Sequence, residues 1–445
     1  MLKPEPISGF PEFLPEEQIV FQWALGLIRR TFEAYGFVPV ETPAVERVDV
    51  LLTKGGNDRE IYGLRRLAAG ADDAGAKDLA LHFDLTVPLA RYVAQHYGRL
   101  TFPFRRYQIQ PVWRGERAQA GRYRQFYQCD IDTIGDGELS LLNDAEIPSV
   151  IHRLFSEMEI GPFTIRINNR KVLQGLVSSL GIAEGEPTAE VLRIVDRLEK
   201  VGADKVRAML ADAGVAGDGA ARLLALTEQE LDTDGWLAYL QSQDVNETYA
   251  KGVEELAAVV ASVRSLGVPD ERFAVDPSIA RGLDYYTGTI YETRLDDHPE
   301  LGSICSGGRY DNLAGHFTNR PLPGVGISIG LTRLIPRLIE AGVLKADTST
   351  TAPVLVTLFD AAEPAATLAI AATLRDAGIG VETYLERRKL DKQLKYASKR
   401  GFSVVVVAGP DEVAQGTATV KDLRTGEQQV VPLADLPAVV KGLLG

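Results

Sequence analysis

Hydrophobic and polar positions follow different periods along the 445-residue chain, and these periods predict its helices and strands. Residues 16–34 place apolar side chains every three or four positions, as an amphipathic helix does. Residues 104–114 and 122–134 are β-rich, and the segment between them is rich in glycine and charge, which is typical of a turn or loop. Residues 323–342 have the pattern of a strand that leads into a helix. We therefore expect a hairpin of two long strands, with another strand and helix later in the chain.

The segment GRYRQFYQCDID at residues 121–132 has two unlike faces if it forms a strand, because successive side chains then point to opposite sides. One face is suited to a core and carries Tyr127, Cys129 and Ile131. The other face combines an aromatic ring, an amide and two carboxylates, on Phe126, Gln128, Asp130 and Asp132. This second face is either the solvated side of a sheet or a surface that binds a polar ligand.

Shifts in composition divide the chain into parts. Residues 171–265 are rich in Ala, Leu, Glu and Arg, which predicts a helical insertion within a first domain at residues 1–345. Residues 346–352 have the composition of a linker. Residues 353–445 alternate strand and helix patterns, which predicts a small α/β domain with a mainly parallel sheet.

Overall composition narrows the function classes. The chain has no run of eighteen apolar residues and begins without a signal-peptide pattern, so we expect neither a membrane span nor secretion. The two cysteines, Cys129 and Cys305, have no metal-ligand spacing and the five histidines are scattered, so we expect a reducing, cytoplasmic setting and no metal site. The formal net charge of −13 argues against bulk binding to nucleic acid, DNA included, but leaves room for a local basic patch.

Phosphate chemistry in this chain would depend on arginine. There is no G-x-x-x-x-G-K-[ST] loop, and GVGISIG at residues 324–330 has the wrong spacing for a dinucleotide-binding loop, so its glycines are better explained by close packing. Arginines crowd the predicted hairpin and the tips of two later elements, at Arg105, Arg106, Arg114, Arg117, Arg122, Arg124, Arg281 and Arg333. Guanidinium groups bind phosphate oxygens in pairs. The alternative is a solvated hairpin whose arginines face water.

The segment RGLDYYTG at residues 281–288 combines an arginine, an acid and two adjacent tyrosines before a Thr-Gly turn. Adjacent strand residues face opposite ways, so one of Tyr285 and Tyr286 can pack while the other presents its hydroxyl. The alternative is a pair of core tyrosines.

The segment RRKLDKQLKYASKR at residues 387–400 predicts a helix with one basic face. That face carries Arg388, Lys392, Lys395 and Lys399. It would either bind RNA phosphates or lie in water.

Together, and in this order, these segments resemble class II aminoacyl-tRNA synthetases. Similarity to the three motifs of that class is carried by YGFVPVETPAVE, VWRGERAQAGRYRQFYQCDID and PGVGISIGLTRL. Similarity to the histidyl-tRNA synthetase family in particular is carried by LHFDLTVPLARY, ARGLDYYTG and SGGRYD. The resemblance covers nearly the whole chain. It departs from common patterns at His82, where arginine is frequent, and at Asp84 and Asp132, where many bacterial members have glutamate.

The resemblance implies a fold and an activity. The fold is an α+β catalytic domain with an antiparallel sheet flanked by helices, a helical insertion, and a C-terminal α/β domain that binds the anticodon. The activity is that of an enzyme that activates histidine with ATP, releases pyrophosphate and transfers histidine to the 3′ end of tRNA(His). Mg²⁺ is expected with ATP but without a dedicated protein site, and the family forms homodimers.

The resemblance also implies site residues. Arg114 and Arg281 would hold the α-phosphate during catalysis. The implied ATP-binding residues are Arg114, Glu116, Arg122, Phe126 and Arg333. The implied histidine-binding residues are Asp84, Leu85, Thr86, Arg114, Gln128, Asp132, Arg281, Tyr285 and Tyr286. The implied tRNA-binding residues are Gln119, Arg388, Lys392, Lys395 and Lys399.

Within these sets the resemblance implies individual roles. Phe126 and Arg333 would stack on the two sides of the adenine. Asp132 and Tyr286 would bind the imidazole nitrogens. The α-ammonium group of histidine would be bound by Asp84, Thr86 and Gln128. Asp130 has no implied role.

Two alternatives remain on the sequence alone. One is the non-catalytic regulatory subunit of ATP phosphoribosyltransferase, which resembles this synthetase but typically lacks the C-terminal domain. The other is a class II synthetase for proline, threonine or glycine, against which the RGLDYY and SGGRYD segments argue.

Overall fold

The computed structural model describes residues 2–54, 60–65, 79–117, 121–183, 185–195, 197–215, 217–279, 286–359 and 364–445. The chain forms two compact units. The first unit comprises Met1–Glu12 and Ala24–Val343, and the second comprises Phe13–Trp23 and Leu344–Gly445. Of the helices that the structure describes, none is long and apolar enough to cross a membrane.

The strands of the first unit lie mainly in one sheet. In chain order they are β1 (Val38–Pro39), β2 (Val45–Arg47), β3 (Leu79–Leu81), β4 (Phe104–Trp113), β5 (Gln125–Ile134), β6 (Phe163–Asn169), β7 (Phe273–Val275), β8 (Thr289–Leu295), β9 (Cys305–Tyr310) and β10 (Gly324–Gly330). Eight of them form a sheet in the order β1-β4-β5-β10-β9-β8-β6-β7, while β2 and β3 pair separately. The interior pairs are antiparallel, and the edge pairs β1–β4 and β6–β7 are parallel. The predicted antiparallel sheet is therefore confirmed, with a parallel strand added at each edge.

Helices flank this sheet and form the insertion. In chain order they are α1 (Pro15–Ala34), α2 (Val48–Leu51), α3 (Thr86–His96), α4 (Leu142–Glu157), α5 (Arg170–Ser179), α6 (Glu186–Val195), α7 (Leu198–Val201), α8 (Ala203–Asp212), α9 (Gly217–Glu228), α10 (Thr233–Gln241), α11 (Glu247–Ser265) and α12 (Leu331–Glu340). Helices α5 to α11 fill the stretch where the composition predicts a helical insertion. α11 is amphipathic and buries Leu256, Val260 and Val263.

The predicted long hairpin is formed by β4 and β5. The two strands pair from Phe104 opposite Ile134 to Trp113 opposite Gln125. The apolar face of β5 is buried, since Cys129 and Ile131 are both 0% exposed. Helix α4 lies on this same side of the sheet, where its Asp144 accepts a hydrogen bond of 2.5 Å from Arg309 Nη2 on β9. The side chains on the opposite face of β5 are left to form a separate polar surface.

The second unit is an α/β domain with its own core. Its strands are β11 (Val354–Val356), β12 (Val381–Thr383), β13 (Val404–Val407), β14 (Thr417–Asp422) and β15 (Gln428–Pro432). Its helices beyond residue 344 are α13 (Ala365–Asp376), α14 (Leu390–Arg400), α15 (Pro410–Ala414) and α16 (Leu436–Leu444). The sheet order is β12-β11-β13-β14-β15.

The prediction of a mainly parallel sheet in this domain is wrong. β11 pairs in parallel with β12 and β13, but β13–β14 and β14–β15 are antiparallel. A parallel neighbour needs a long crossover connection, whereas a short turn reverses the chain. Only a few residues separate Asp422 from Gln428, so β14 and β15 form a hairpin.

Candidate active site

The polar face of β5 is enclosed rather than solvated. Cross-strand partners share a face of a sheet. Asp132 lies opposite Arg106 on β4 and Gly326 on β10. The polar side chains that follow one another on β5 are at most 8% exposed, at Gln128, Asp130 and Asp132. The alternation read from the sequence is confirmed, and the interpretation of this face as the wet side of a sheet is wrong for these three residues.

Both carboxylate oxygens of Asp132 are held by neighbouring strands. Arg106 Nη2 lies 2.7 Å from Oδ2, and the hydroxyl of Tyr310 on β9 donates to Oδ1 at 2.7 Å. Burial raises the pKa of Asp132 above its ordinary value, and Asp84 adds to that effect, whereas Arg106 and the Tyr310 hydroxyl lower it. The Arg106 cation and the Tyr310 donor therefore favour the charged form of a carboxyl group whose neutral form is favoured by burial.

Asp130 stands one step along the same face and behaves differently. Burial raises its pKa to about 7, against the lowering effects of Arg106 and of a hydrogen bond with Ser328. Gln128 Nε2 also donates to Ser328 Oγ, at 2.7 Å. Among the described residues, Gln128 Oε1 and Asp130 Oδ1 are buried without a hydrogen-bond partner. Unfilled acceptors of this kind are rare in proteins and suit a ligand that brings N–H donors.

Two glycines let the side chains on this face lie close against the backbone beside Asp132. Gly326 and Gly308 lie opposite each other on β10 and β9. A Cβ atom on Gly326 would come within 2.3 Å of Asp132 Oδ1, and one on Gly308 within 2.9 Å of the ring of Tyr286. Adjacent strands are about 4.8 Å apart, so the Asp132 carboxyl group and the Tyr286 ring stand side by side over the glycine backbone. A flat polar ring could contact both groups there.

The start of α3 brings a third carboxylate to the same place. Asp84 is 4% exposed, and its Oδ1 accepts a hydrogen bond of 3.1 Å from the backbone N–H of Val87. Its negative charge raises the pKa of both Asp130 and Asp132, because it lies close to them. Leu85 is buried and Thr86 is half-buried at the first position of α3. Asp84 thus lies near the polar face of β5, and the binding of histidine by residues 84–86 stays a prediction.

His82 has a structural environment. Its Nε2 lies 2.8 Å from the carbonyl oxygen of Pro111, and its ring packs 5.5 Å from that of Trp113. Burial lowers the pKa of this histidine, so its neutral form is favoured. The departure at this position is therefore accommodated within the fold.

Arg114 and Phe126 form a second part of the site. The Arg114 guanidinium carbon lies 5.1 Å from the centroid of the Phe126 ring, and its Nε donates to the carbonyl oxygen of Phe83 at 3.0 Å. Arg122 forms an ion pair with Glu116. Burial, and then the charge of Glu116, raise the pKa of Glu60, which shares a hydrogen bond with Glu116. This part of the site therefore combines two arginines with two carboxyl groups, those of Glu60 and Glu116.

Arg333 lies in the first turn of α12. That turn is fixed to β5, because Thr332 Oγ1 accepts a hydrogen bond of 2.8 Å from the backbone N–H of Tyr127. Arg333 is exposed and donates to the carbonyl oxygen of Leu301 at 2.6 Å. In this structure it is Arg114 that stacks on Phe126. The enclosure of an adenine between Phe126 and Arg333 stays a prediction.

The remaining predicted site residues either fall outside the described part of the chain or belong to the second unit. Arg281, Tyr285 and Gln119 are outside the residues that the structure describes. On α14 the exposed lysines are Lys392, Lys395 and Lys399. Arg388 is exposed but precedes the helix, which begins at Leu390, so the prediction that it shares the helical face is wrong. Its backbone carbonyl instead accepts a hydrogen bond of 2.9 Å from Gln393 Nε2.

The sequence patterns assigned no individual role to three residues that complete the polar face: Arg106, Tyr310 and Ser328. Alternation along each strand assigns these side chains to one face of the sheet, but it does not identify their partners on the neighbouring strands. The pairing register, which only the fold supplies, brings them to Asp132, Asp130 and Gln128. Within the described part of the chain, no group of three or more His, Cys, Asp or Glu side chains is arranged to hold a metal ion.

Known proteins are similar to this chain over nearly its whole length. The family profile of histidyl-tRNA synthetase matches residues 9–334, and that of an anticodon binding domain matches residues 354–443. The histidine–tRNA ligase of Xanthomonas oryzae pv. oryzae (strain PXO99A) is 50% identical over 448 residues, which cover 96% of this chain and 95% of the relative. The crystal structure of histidyl-tRNA synthetase from Nostoc sp. PCC 7120 matches with a TM-score of 0.91 and 46% identity, covering 99% of both chains.

A more distant structure bears on the regulatory alternative. A Bacillus halodurans C protein, described as an ATP phosphoribosyltransferase regulatory subunit/histidyl-tRNA synthetase, matches with a TM-score of 0.72 and 20% identity, covering 89% of this chain and 97% of that one. At this identity the likeness shows the fold alone. The relatives at higher identity and nearly full length are histidine–tRNA ligases, so the regulatory alternative is not favoured.

Proposed function

The chain belongs to the histidyl-tRNA synthetase family, and we propose that it joins histidine to tRNA in two steps carried by the residues described above. In the first step the carboxylate of histidine attacks the α-phosphorus of ATP, and the bond to pyrophosphate breaks. In the second step the histidyl group of the adenylate passes to the 3′-terminal adenosine of tRNA, and AMP leaves.

The main difficulty of the first step is electrostatic. The histidine carboxylate is already ionised near pH 7, so no protein base is needed, but an anion must approach a polyanion. Catalysis then comes from positioning and from cations directed at the transition state. Arg114 supplies one such cation at the edge of the polar face. Arg281 is proposed as the second on the resemblance of its motif.

The observation that carries the histidine assignment is the buried Asp132 carboxylate beside the half-buried Tyr286 ring, over two glycines. We assign the imidazole to a position in contact with these two side chains, with Asp132 as the acceptor of a ring N–H. The α-ammonium group is assigned to acceptors nearby, at Asp84, Thr86 and Gln128. A site whose own polar groups are left unpaired by other ligands can reject them by ~10⁴-fold or more.

ATP is assigned to the edge of the site that holds Arg114 and Phe126. Phe126 offers a ring face for the adenine, with Arg333 on its other side. Arg122 is assigned to the distal phosphates. Mg²⁺ prefers oxygen ligands and keeps several waters, and the carboxylates of Glu60 and Glu116 are donors of that kind. Magnesium carried with ATP would neutralise part of the charge on the distal phosphates.

The second unit is assigned to the tRNA anticodon. Its match to an anticodon binding domain supports this role, and the exposed lysines of α14 are proposed to contact RNA phosphates. The proposal also includes a homodimer, on family resemblance, and a cytoplasmic setting. The buried, unpaired thiols of Cys129 and Cys305 support a reducing compartment.

Pyrophosphate exchange tests the proposal. The protein is incubated with ATP, Mg²⁺, labelled pyrophosphate and one amino acid at a time. Histidine should drive exchange, whereas proline, threonine and glycine should not. Exchange with one of those three instead would indicate another class II synthetase. A protein that drives no exchange with any amino acid would fit the regulatory alternative and refute the proposed function.

A further inference from the structure

Arg106 is a buried arginine that the two-step reaction above does not use. Its side chain is 0% exposed, and its Nη2 lies 2.7 Å from Asp132 Oδ2. Among the described residues, none of its three guanidinium nitrogens makes a hydrogen bond of good geometry, so its contact with Asp132 is an ion pair. Buried polar groups that only hold a fold together normally have their hydrogen bonds satisfied. A buried arginine in this state indicates a role that depends on its charge.

Acidic groups surround this arginine. Arg106 lies opposite Asp132 across the β4–β5 pair, and its charge acts on both Asp130 and Asp132. Asp84 acts on the same two carboxyl groups with the opposite sign. Burial disfavours the charged forms of Asp130 and Asp132, and a cation beside them offsets that cost. Arg106 is that cation, and Asp132 is the carboxylate in contact with it.

We propose that Arg106 is a positioning residue for histidine specificity, which fixes Asp132, together with the Tyr310 hydroxyl, as the charged acceptor for the imidazole N–H. This inference rests on the proposed function, because it assumes that histidine binds on the polar face of β5. An ionised carboxylate has about four lone-pair sites. Tyr310 donates to one oxygen and Arg106 forms an ion pair with the other, so acceptor capacity remains for the ring.

Removal of the cation gives a pH-dependent defect. The groups that act on Asp132 are Arg106 from β4, Tyr310 from β9 and Asp84 ahead of α3, and Asp130 precedes it on the same face of β5. Without Arg106 the pKa of Asp132 rises further, so a larger fraction of the carboxyl group is protonated at a given pH, and the group regains its charge as the pH increases. Histidine binding in the variant should therefore approach that of the parent protein as the pH is raised.

The test uses histidine-dependent pyrophosphate exchange from about pH 6.5 to about pH 8.5, a window around neutral pH in which a raised carboxyl pKa can titrate. Arg106→Met removes the charge at similar length and should raise the KM for histidine ~10-fold or more near pH 7, the scale of one charge-assisted hydrogen bond. The KM for ATP should stay within about twofold, since the ATP edge of the site is separate. Arg106→Lys should restore most of the loss.

Arg105→Met is the matched control. Arg105 is the neighbour of Arg106 on β4 but faces the other side of the sheet, where its Nη2 lies 2.5 Å from Glu146 and its guanidinium carbon 4.4 Å from the Phe37 ring centroid. This variant also loses a half-buried ion pair. Its KM for histidine should match that of the parent protein at every pH.

The outcomes separate the possible roles. A raised KM whose ratio to the parent value does not change with pH, with no rescue by lysine, would mean that Arg106 is merely structural and would overturn the inference. Tyr310→Phe removes the second donor and should produce a smaller defect with the same pH trend, so it decides the question if Arg106→Met does not fold. A parent protein without histidine-dependent exchange would overturn the proposed function as well. An active parent with an unaffected Arg106→Met variant would overturn the inference alone.

Discussion

Asp132→Asn is the substitution that most sharply tests the assignment of the imidazole. The amide keeps the shape of the carboxyl group but carries no charge and has one acceptor oxygen in place of two. In the fold, one carboxylate oxygen contacts Arg106 and the other accepts from the Tyr310 hydroxyl. The asparagine oxygen would be drawn to Arg106, which leaves the NH₂ group towards Tyr310 and the ligand. The imidazole would then lose its charged acceptor and face a donor.

The size of the effect follows from these contacts. A charged hydrogen bond contributes about 1.5–3 kcal/mol, which corresponds to roughly tenfold to over a hundredfold in histidine affinity. The variant also leaves Arg106 without its contacting carboxylate, and breaking a buried pair costs about 3–5 kcal/mol of stability. Part of that cost should be recovered, because the charge of Asp132 raises the pKa of Asp130, and its removal lets Asp130 ionise more readily.

Isothermal titration with histidine measures the affinity, and chemical denaturation measures the stability. Asp130→Asn is the internal control, since it changes the adjacent carboxyl group on the same face. We expect Asp132→Asn to lose most of its histidine affinity and to keep its ATP affinity, while Asp130→Asn has a much smaller effect on both. A silent Asp132→Asn beside a damaging Asp130→Asn would show that the imidazole is assigned to the wrong carboxyl group.

Three further predictions concern other parts of the molecule. Arg114→Ala should lower histidine-dependent exchange by ~10²-fold or more, the scale of losing one preorganised contact to a developing charge, and a loss below about threefold would refute its role. Asp130→Asn should flatten the pH dependence of the unfolding free energy between pH 3.8, the ordinary pKa, and about 7, the pKa in the fold. The neutral form of Asp130 is favoured in the fold, so the parent protein loses stability as pH rises through that window by at most about 1.4 kcal/mol per pH unit, and an unchanged slope in urea titrations would refute the assignment. Substitution of glutamate for the exposed α14 lysines should weaken tRNA binding and make it less dependent on salt concentration. Those residues are Lys392, Lys395 and Lys399. If a binding titration gives the same affinity and the same salt dependence as the parent protein, this face only contacts solvent.

The two-residue period of β5 was sufficient to predict its two faces. Side chains alternate strictly along a strand, so the separation of Gln128 and Asp132 from Cys129 and Ile131 follows from the sequence and is confirmed by burial. The helix at α14 and the strand–helix pattern at β10 and α12 are also confirmed, because their apolar spacing is regular.

Features that depend on pairing could not be read from the chain. The contact between Arg106 and Asp132 exists because β4 and β5 pair in one register, and a shift by one residue would separate them. Tyr310 reaches Asp132 from β9, two strands away in the sheet order, so no local pattern relates the two. The antiparallel half of the second sheet was missed for a similar reason, since strand patterns do not state strand direction.

A crystal structure of the protein with L-histidine bound would locate the imidazole directly. We predict an imidazole nitrogen about 2.7–3.1 Å from the Asp132 carboxylate, with the ring over Gly326 and Gly308 and beside Tyr286. Arg106 should keep its contact with the carboxylate oxygen that faces away from the ring. A histidine whose ring lies away from Asp132, with that carboxylate still held by Arg106 and Tyr310 alone, would contradict this prediction.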